Sequence, residues 1–421
     1  MLNRTEAPTL SFDPTINELA YDADSLSNNI PIYSILDKTQ EVCGVEIIFG
    51  GGKLDELKSG ASYFSTNLLK SGTSKFNSNE INNFFELRGA FVQFQSGLDY
   101  NSFSLYCLTS KLKETLPFFL NLFNDSTFPE DKLAQLVHKR EQDLDINLQK
   151  SSYWSAKLIK KALFGTHPYG QVLSKEDIQS ITSSDLKEHW KTFSLNQIKF
   201  ITAAGNFDEA LLKSNIQTIL KRQGDKKLSN TVQATSSTKP SNTTKTLLNS
   251  KQTSLKISFQ AINHLHPNYP ALSLGNALFG GYFGSRLMQS IREDKGLTYG
   301  IGSSIQHLKE SSYIQISADV KRGAGNEVIE LIKIELNKIY NNNISEIELD
   351  KVKHYLIGEY KSSSQTIFDR INKVKFLKTH NLPDSYFTNY FDAILSVKSD
   401  KIQEVFKTQY TSSLFKTVLV D

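Results

Sequence analysis

The feature that most limits what this chain can fold into is that it is written twice. The run from Ser180 to Thr192 returns from Ser396 to Thr408, and each copy leads into an apolar strand, Ile198 to Ala204 and then Leu414 to Val420. Earlier, Val45-Glu46-Ile47-Ile48-Phe49 is answered by Leu255-Lys256-Ile257-Ser258-Phe259. In each copy a helical stretch follows and ends on glycine, at Gly72 in the first and Gly280-Gly281 in the second. The long amphipathic stretch Pro129 to Gln149 is matched by Ile344 to Gln365. A repeat at half the chain length predicts two homologous domains of about 200 residues, a size at which one core closes on itself.

The join is a matter of composition. Gly224 to Lys251 is rich in Ser, Thr, Asn and Lys and poor in apolar residues, as a linker or a solvated surface insertion would be. The expected division is an N-terminal domain at 1–225, a linker at 226–250 and a C-terminal domain at 251–421.

Within each half the periodicity switches between helix and strand. Ala61, Phe64, Leu68 and Leu69 recur at helical spacing. Ser78-Asn79-Glu80 is expected to cap a second helix over Ile81 to Leu87, stopped by Gly89. Phe91 to Gln95 and Ser102 to Leu108 alternate around a Gly97-Leu98-Asp99 turn, which predicts a hairpin. Leu112 to Leu122 is helical again, and Leu297 to Ile305 with Ser312 to Val320 repeats the hairpin. The expected class is α+β: two homologous αβ domains, each a mainly antiparallel sheet with helices packed on one face.

Charge and cysteine usage exclude several functions. A net charge of +4 over 421 residues, with both signs interspersed, describes solvated faces and not a nucleic-acid surface. Cys43 and Cys107 are too few for a disulfide framework and lie in apolar strand-like runs, so buried thiols are expected. Met1 to Glu6 has no apolar core of the secretory kind, and no run reaches the roughly 18 apolar residues that cross a bilayer. The expectation is a cytoplasmic protein without a membrane segment.

Most chemical motifs are missing. Gly50-Gly51-Gly52 lacks the Lys-Ser/Thr of a phosphate-binding loop and reads as a flexible turn. His264 and His266, beside Pro267 and Pro270, read as surface histidines, His138 and Glu141 as an exposed helical face, and His167 as structural. There is no Gly-x-Ser-x-Gly elbow. One segment stands out: Gly284-Ser285-Arg286-Leu287, then Ile291-Arg292-Glu293-Asp294-Lys295-Gly296-Leu297-Thr298-Tyr299-Gly300. It sets a fixed cation, Arg292, and a phenol, Tyr299, on either side of a helix-stopping glycine. The structural alternative is that Arg292 pairs with a surface carboxylate and Tyr299 is a core aromatic.

The duplicated halves and this Arg-Glu-x-x-Gly-Leu-x-Tyr segment together resemble the pitrilysin/insulinase superfamily of zinc peptidases, most of all its small two-domain bacterial members. Lys70-Ser71-Gly72-Thr73 and Leu163-Phe164-Gly165-Thr166-His167-Pro168-Tyr169-Gly170 are further landmarks, and the resemblance runs from about Thr39 to the C-terminus. Active members carry His-x-x-Glu-His before the Gly-Thr, with two imidazoles on one helical face for zinc and the glutamate as general base. The aligned positions here are Tyr63, Thr66 and Asn67. A phenol that titrates near pH ~10, a hydroxyl and a neutral amide do not replace them. Of the family's distal glutamate pair, Glu141 is present, and the position nearer the expected ligand is Leu148. The resemblance therefore implies no zinc or other cofactor in this chain and no peptidase activity by the chain alone.

The resemblance assigns Arg292 and Tyr299 to the other half of the site, where such a pair clamps substrate and donates to the developing oxyanion. Related enzymes, the mitochondrial processing peptidase among them, divide these parts between two chains. The implied partner is a related chain bearing His-x-x-Glu-His and the zinc, in a heterodimer, or else a second copy of this chain; the implied substrates are peptides. The stretch Phe279 to Gly284 is too short for the long glycine-rich loop of the mitochondrial non-catalytic subunit. The alternative implied by the resemblance is a catalytically silent structural or peptide-binding protein, as the core subunits of ubiquinol–cytochrome c reductase are.

Overall fold

The computed structural model describes residues 12–26, 29–220, 240–341 and 344–421. The first half runs β1 (Asp22–Ser25), β2 (Pro31–Leu36), β3 (Val42–Phe49), α1 (Ala61–Leu68), α2 (Ser78–Glu86), β4 (Phe91–Ser96), β5 (Asn101–Leu108) and α3 (Leu112–Asp125). It continues through α4 (Glu130–Asn147), α5 (Ser151–Phe164), α6 (Lys175–Ser180), α7 (Ser183–His189), β6 (Ile198–Gly205) and α8 (Glu209–Ile219). The second half runs β7 (Ser241–Lys245), β8 (Gln252–Gln260), α9 (Tyr269–Asn276), a π-helical segment (Met288–Glu293), β9 (Thr298–His307), β10 (Ser312–Lys321) and α10 (Gly325–Asn341). It ends with α11 (Glu346–Ser362), α12 (Ile367–Thr379), α13 (Tyr386–Ser396), α14 (Ser399–Gln409) and β11 (Lys416–Val420).

The two sheets have one topology. Their strand orders are β1-β2-β6-β3-β5-β4 and β7-β11-β8-β10-β9, so removing β1 leaves the same order twice. Each sheet has a single parallel pair, β2 with β6 and β7 with β11; the rest is antiparallel. Alternation along β3 sends Cys43, Val45, Ile47 and Phe49 into the first core, and along β8 sends Leu255, Ile257 and Phe259 into the second. The helices of each half close over these faces.

The opposite faces are covered by exchange. α5 leaves the first half and lays Ile159 against Val418 and Val420 of β11. Its counterpart α12 leaves the second half and lays Ile367, Ile371 and Val374 against Ile35 and Ala204 of β2 and β6. Polar contacts fasten both: the hydroxyls of Ser155 and Ser254 lie 2.9 Å apart, and Lys375 Nζ lies 2.8 Å from Glu46. Each half needs the other to bury its sheet.

Two expectations shift. Residues 226–239 of the expected linker lie outside the described residues, but its remainder carries β7, which the polar run Ser241-Asn242-Thr243-Thr244-Lys245 forms as an edge strand. A polar edge strand has a loop's composition, and β-branched threonines supply the extended backbone. The second helix is capped by Asn77, whose side chain accepts from Asn79 and Glu80 N–H while Glu80 accepts from Asn77 N–H. Among the described residues no helix is long and apolar enough to cross a membrane.

Candidate functional site

α1 is set by its N-terminus. The Glu56 carboxylate accepts from Gly60 N–H at 3.1 Å and Ser62 N–H at 2.9 Å, and Gly60 turns the chain at φ +91°. Burial pushes the Glu56 carboxyl above its ordinary pKa, against the pull of those N–H groups. Tyr63 and Asn67, one turn apart, reach the partly exposed side of α1, while Thr66 is fully buried and its hydroxyl has no hydrogen-bond partner. Asn67 donates its amide back to Tyr63 carbonyl at 2.7 Å. Arg140 of α4 places its guanidinium 4.8 Å from the centre of the Tyr63 ring.

These positions do not suit zinc. No imidazole or carboxylate stands at 63, 66 or 67, the Asn67 amide is turned onto its own helix, and a permanent cation lies against Tyr63. Glu141 accepts from Gln179 at 2.5 Å, and Leu148 packs against the first core. Among the described residues no group of three or more His, Cys, Asp or Glu is placed to hold a metal ion.

The second-half segment is built differently. Arg286 makes a two-pronged pair with Glu348, both contacts 2.8 Å, which ties the turn just before the π-helical segment to α11. That segment ends where Gly296 N–H donates to Arg292 carbonyl at 3.0 Å and Leu297 N–H to Ile291 carbonyl at 3.1 Å, with Gly296 at φ +63°. β9 then starts with a bulge. Thr298 is opposite Val320 and Ile301 is opposite Ala318, so Tyr299 and Gly300 together face Asp319. Thr298 Oγ1 fixes it, 2.7 Å from Asp319 carbonyl and accepting from Gly300 N–H at 3.1 Å.

The bulge turns Tyr299 out, 91% exposed. Arg292 lies with its guanidinium 4.7 Å from the centre of the Phe283 ring, and Phe283 is itself 65% exposed. Among the described residues Arg292 has no ion pair. The structural alternative thus holds for neither residue: Tyr299 is not in a core, and Arg292 is not neutralised by a carboxylate.

Sequence reasoning missed a histidine cluster. His264, read as a surface residue, lies against His307 with ring centres 3.5 Å apart and their planes tilted by 32°, and 4.9 Å from His380. Burial pushes His264 down to about 3, with His307 and His380 adding repulsion, and burial pushes His307 down to about 4. His266 is exposed as expected. Residues 264, 307 and 380 are too far apart in sequence for any local pattern to join them. Gly50-Gly51-Gly52 is buried; a Cβ at Gly52 would lie 2.6 Å from Asp99 backbone, which leaves no room for a phosphate. Cys43 and Cys107 are buried free thiols, their sulfurs 3.8 Å apart across β3 and β5.

With this duplicated fold and the geometry of these positions described, the class follows. Residues 32–177 match the family of insulinase, peptidase family M16, and residues 180–356 match the peptidase M16 inactive domain. The chain belongs to peptidase family M16. It is similar to the "uncharacterized zinc protease YmxG" of Bacillus subtilis (strain 168), 23% identical over 75% of this chain and 77% of that protein. It is equally similar to the "non-peptidase homolog YmxG" of Helicobacter pylori (strain ATCC 700392 / 26695), 23% identical over 85% of this chain and 84% of that protein. In fold it matches the peptidase M16 inactive domain from Pseudomonas fluorescens with a TM-score of 0.86, at 23% identity over 96% of this chain and 98% of that one.

Proposed function

We propose that this chain is the non-catalytic subunit of a heterodimeric M16 metallopeptidase, bringing Arg292 and Tyr299 to a partner that carries the zinc site. The observation that carries this reading is the corner at Gly296, where a bulge turns a phenol outward after an arginine that, among the described residues, pairs with no carboxylate. The guanidinium offers parallel N–H donors to a substrate carbonyl or carboxylate. The phenol donates a hydrogen bond to the scissile carbonyl oxygen as negative charge builds there. Tyr63, Thr66 and Asn67 provide neither a metal ligand nor a general base, so the remaining chemistry falls to the other chain. Peptides and unfolded segments are the fitting substrates.

The test is reconstitution. This chain alone should be inactive, and mixing it with a family member that bears His-x-x-Glu-His and co-purifies with it should yield peptidase activity and one zinc per complex. Absence of such a partner in the native cell would reject the reading. It would favour a second one, a silent peptide-binding or structural protein, to which the name of the Helicobacter pylori relative lends support.

A further inference from the structure

One concave site is lined by neither Arg292 nor Tyr299. Between the turn at Lys53–Asp55, α5 and the loop at 165–173 is a cavity of about 420 Å³. Three ammonium-bearing side chains line it: Lys53 from the turn, and Lys157 with Lys161, one helical turn apart on α5. Two carboxylates share the wall, and both are already engaged. Glu56 caps α1, and Asp177 accepts from Ser174 N–H at 2.9 Å to close the capping box of α6.

The lysines are not neutralised by close carboxylate contacts. Among the described residues none of the three makes an ion pair. Lys53 donates to the Gln171 carbonyl, and Lys157 lies 5.3 Å from the centre of the Trp154 ring. Burial pushes the Lys53 ammonium below its ordinary pKa; Glu56 opposes that and Lys160 adds to it. Lys157 and Lys161 repel at their i,i+4 spacing. Their backbone positions are fixed, because α5 is held between the halves by Ile159 and Ser155.

We infer that this cavity is a binding site for a small anion bearing two or more negative charges, an oligocarboxylate or a phosphate ester. The volume suits a small molecule. The lysines supply point charges that meet either oxyanion, and three ammonium groups against two capping carboxylates leave the lining net positive. The site is independent of the proposed peptidase partnership and requires only this chain.

Calorimetric titration of the full chain tests it, with pyrophosphate and citrate in separate arms. One saturable site is expected for at least one of them, weakening as NaCl is raised. Saturation by pyrophosphate alone assigns phosphate chemistry; saturation by citrate alone assigns carboxylates. The double variant Lys157→Gln/Lys161→Gln should bind at least about 10-fold more weakly, with an unliganded Tm no lower than the wild type, since the substitution relieves a repulsion. Lys401→Gln, at an exposed pair with Glu404, should change nothing. As a measurement free of folding effects, the bound anion should slow acylation of Lys157 and Lys161 in the wild-type chain, read by peptide mass spectrometry. No saturable binding of either anion up to about 10 mM, undiminished binding by the double variant, or unaltered acylation would overturn the assignment.

Discussion

The same backbone corner occurs once in each half, and the halves use it differently. In the first, α2 ends, Gly89 turns the chain at φ +60°, and edge strand β4 begins with Phe91. In the second, the π-helical segment ends, Gly296 turns at φ +63°, and edge strand β9 begins at Thr298 and Tyr299. Both corners carry an arginine. Arg88 donates from Nε to Glu114 at 2.9 Å, donates to Phe84 carbonyl at 3.1 Å and covers the Phe84 ring at 3.9 Å. Arg292, among the described residues, has no ion pair and lies against the exposed Phe283 ring, 4.7 Å away. β4 pairs with β5 in unbroken register from Phe91, whereas β9 carries the bulge that turns Tyr299 out. The first corner is closed by its own charges, and the second leaves its phenol exposed. Duplication supplies the scaffold twice, and divergence of a few side chains decides which corner is clasped by its own charges.

The largest effect expected from this contrast is catalytic. In the reconstituted complex, Tyr299→Phe should lower kcat by about 10²-fold with KM little changed, the loss typical of one oxyanion donor. Phe91→Tyr, which adds a hydroxyl at the first-half corner, should leave kcat as it was. Steady-state kinetics of the two variants side by side reads this directly, and equal turnover by both would remove the proposed asymmetry.

The exchanged helices give the next test. Lys375 of α12 meets Glu46, whose side chain is only 12% exposed. Lys375→Ala strands a carboxylate on the first sheet and should destabilise the chain by about 2 kcal/mol, less than a fully buried pair because Lys375 keeps some solvent. The reverse crossing is neutral. Ser155→Ala removes one hydroxyl pair from α5 and should cost about 1 kcal/mol. Urea denaturation separates the two, and a larger loss for Ser155→Ala would invert the reading of which crossing carries the charge.

Much of this architecture was legible because repeats and periodicity are local. Strands β3 and β8, both hairpins and the paired long helices α4 and α11 lie where alternation and spacing place them. Arg292, Gly296 and Tyr299 are recognisable for the same reason, since seven residues carry helix, stop and strand. What escaped depends on distance in sequence. The exchange of α5 and α12 cannot be read from either helix alone, because an apolar stripe does not name the sheet it covers. His264 looked solvated beside two prolines, and only the closing of α12 and β9 around it brings His307 and His380 into contact. The bulge at Tyr299 and Gly300 is likewise invisible without the partner strand, since it is a register difference and not a residue type.

That histidine cluster belongs to the second half alone and gives the halves different acid sensitivity. The folded-state pKa values of His264 and His307, about 3 and about 4, lie below the unfolded value of 6.5 because burial disfavours the imidazolium. His380 is shifted the same way by burial, with Asp99 opposing. The unfolded chain therefore binds more protons between the two limits. Stability is complete above about pH 6.5 and falls as pH drops toward the folded values, by at most about 1.4 kcal/mol per pH unit for each group. The buried His189 of the first half, held near 4 by burial while its Nε2 meets Gly51 carbonyl, adds a single group in the same sense. His264→Gln should flatten the fall in Tm between pH 6.5 and pH 4 more than one group requires, because the repulsion on His307 and His380 is relieved as well. An unchanged profile would show that the cluster opens before it protonates.

The smallest effect isolates the comparison best. Arg88→Ala should cost about 1 kcal/mol: its pair with Glu114 is half exposed and worth little alone, but the stacked Phe84 ring and the bond to Phe84 carbonyl are lost with it. Arg292→Ala should stay within about 0.5 kcal/mol of the wild type, since an unpaired surface cation over one exposed ring holds nothing else in place. Equilibrium unfolding of both variants of the isolated chain measures this without any partner. If removing Arg292 costs as much as removing Arg88, then the second corner is also a structural clasp. The case for Arg292 as a substrate contact then loses its physical basis, whatever the kinetics of Tyr299 show. If the two differ as expected, a partly buried guanidinium is maintained at no gain to the fold, which leaves its proposed role outside this chain.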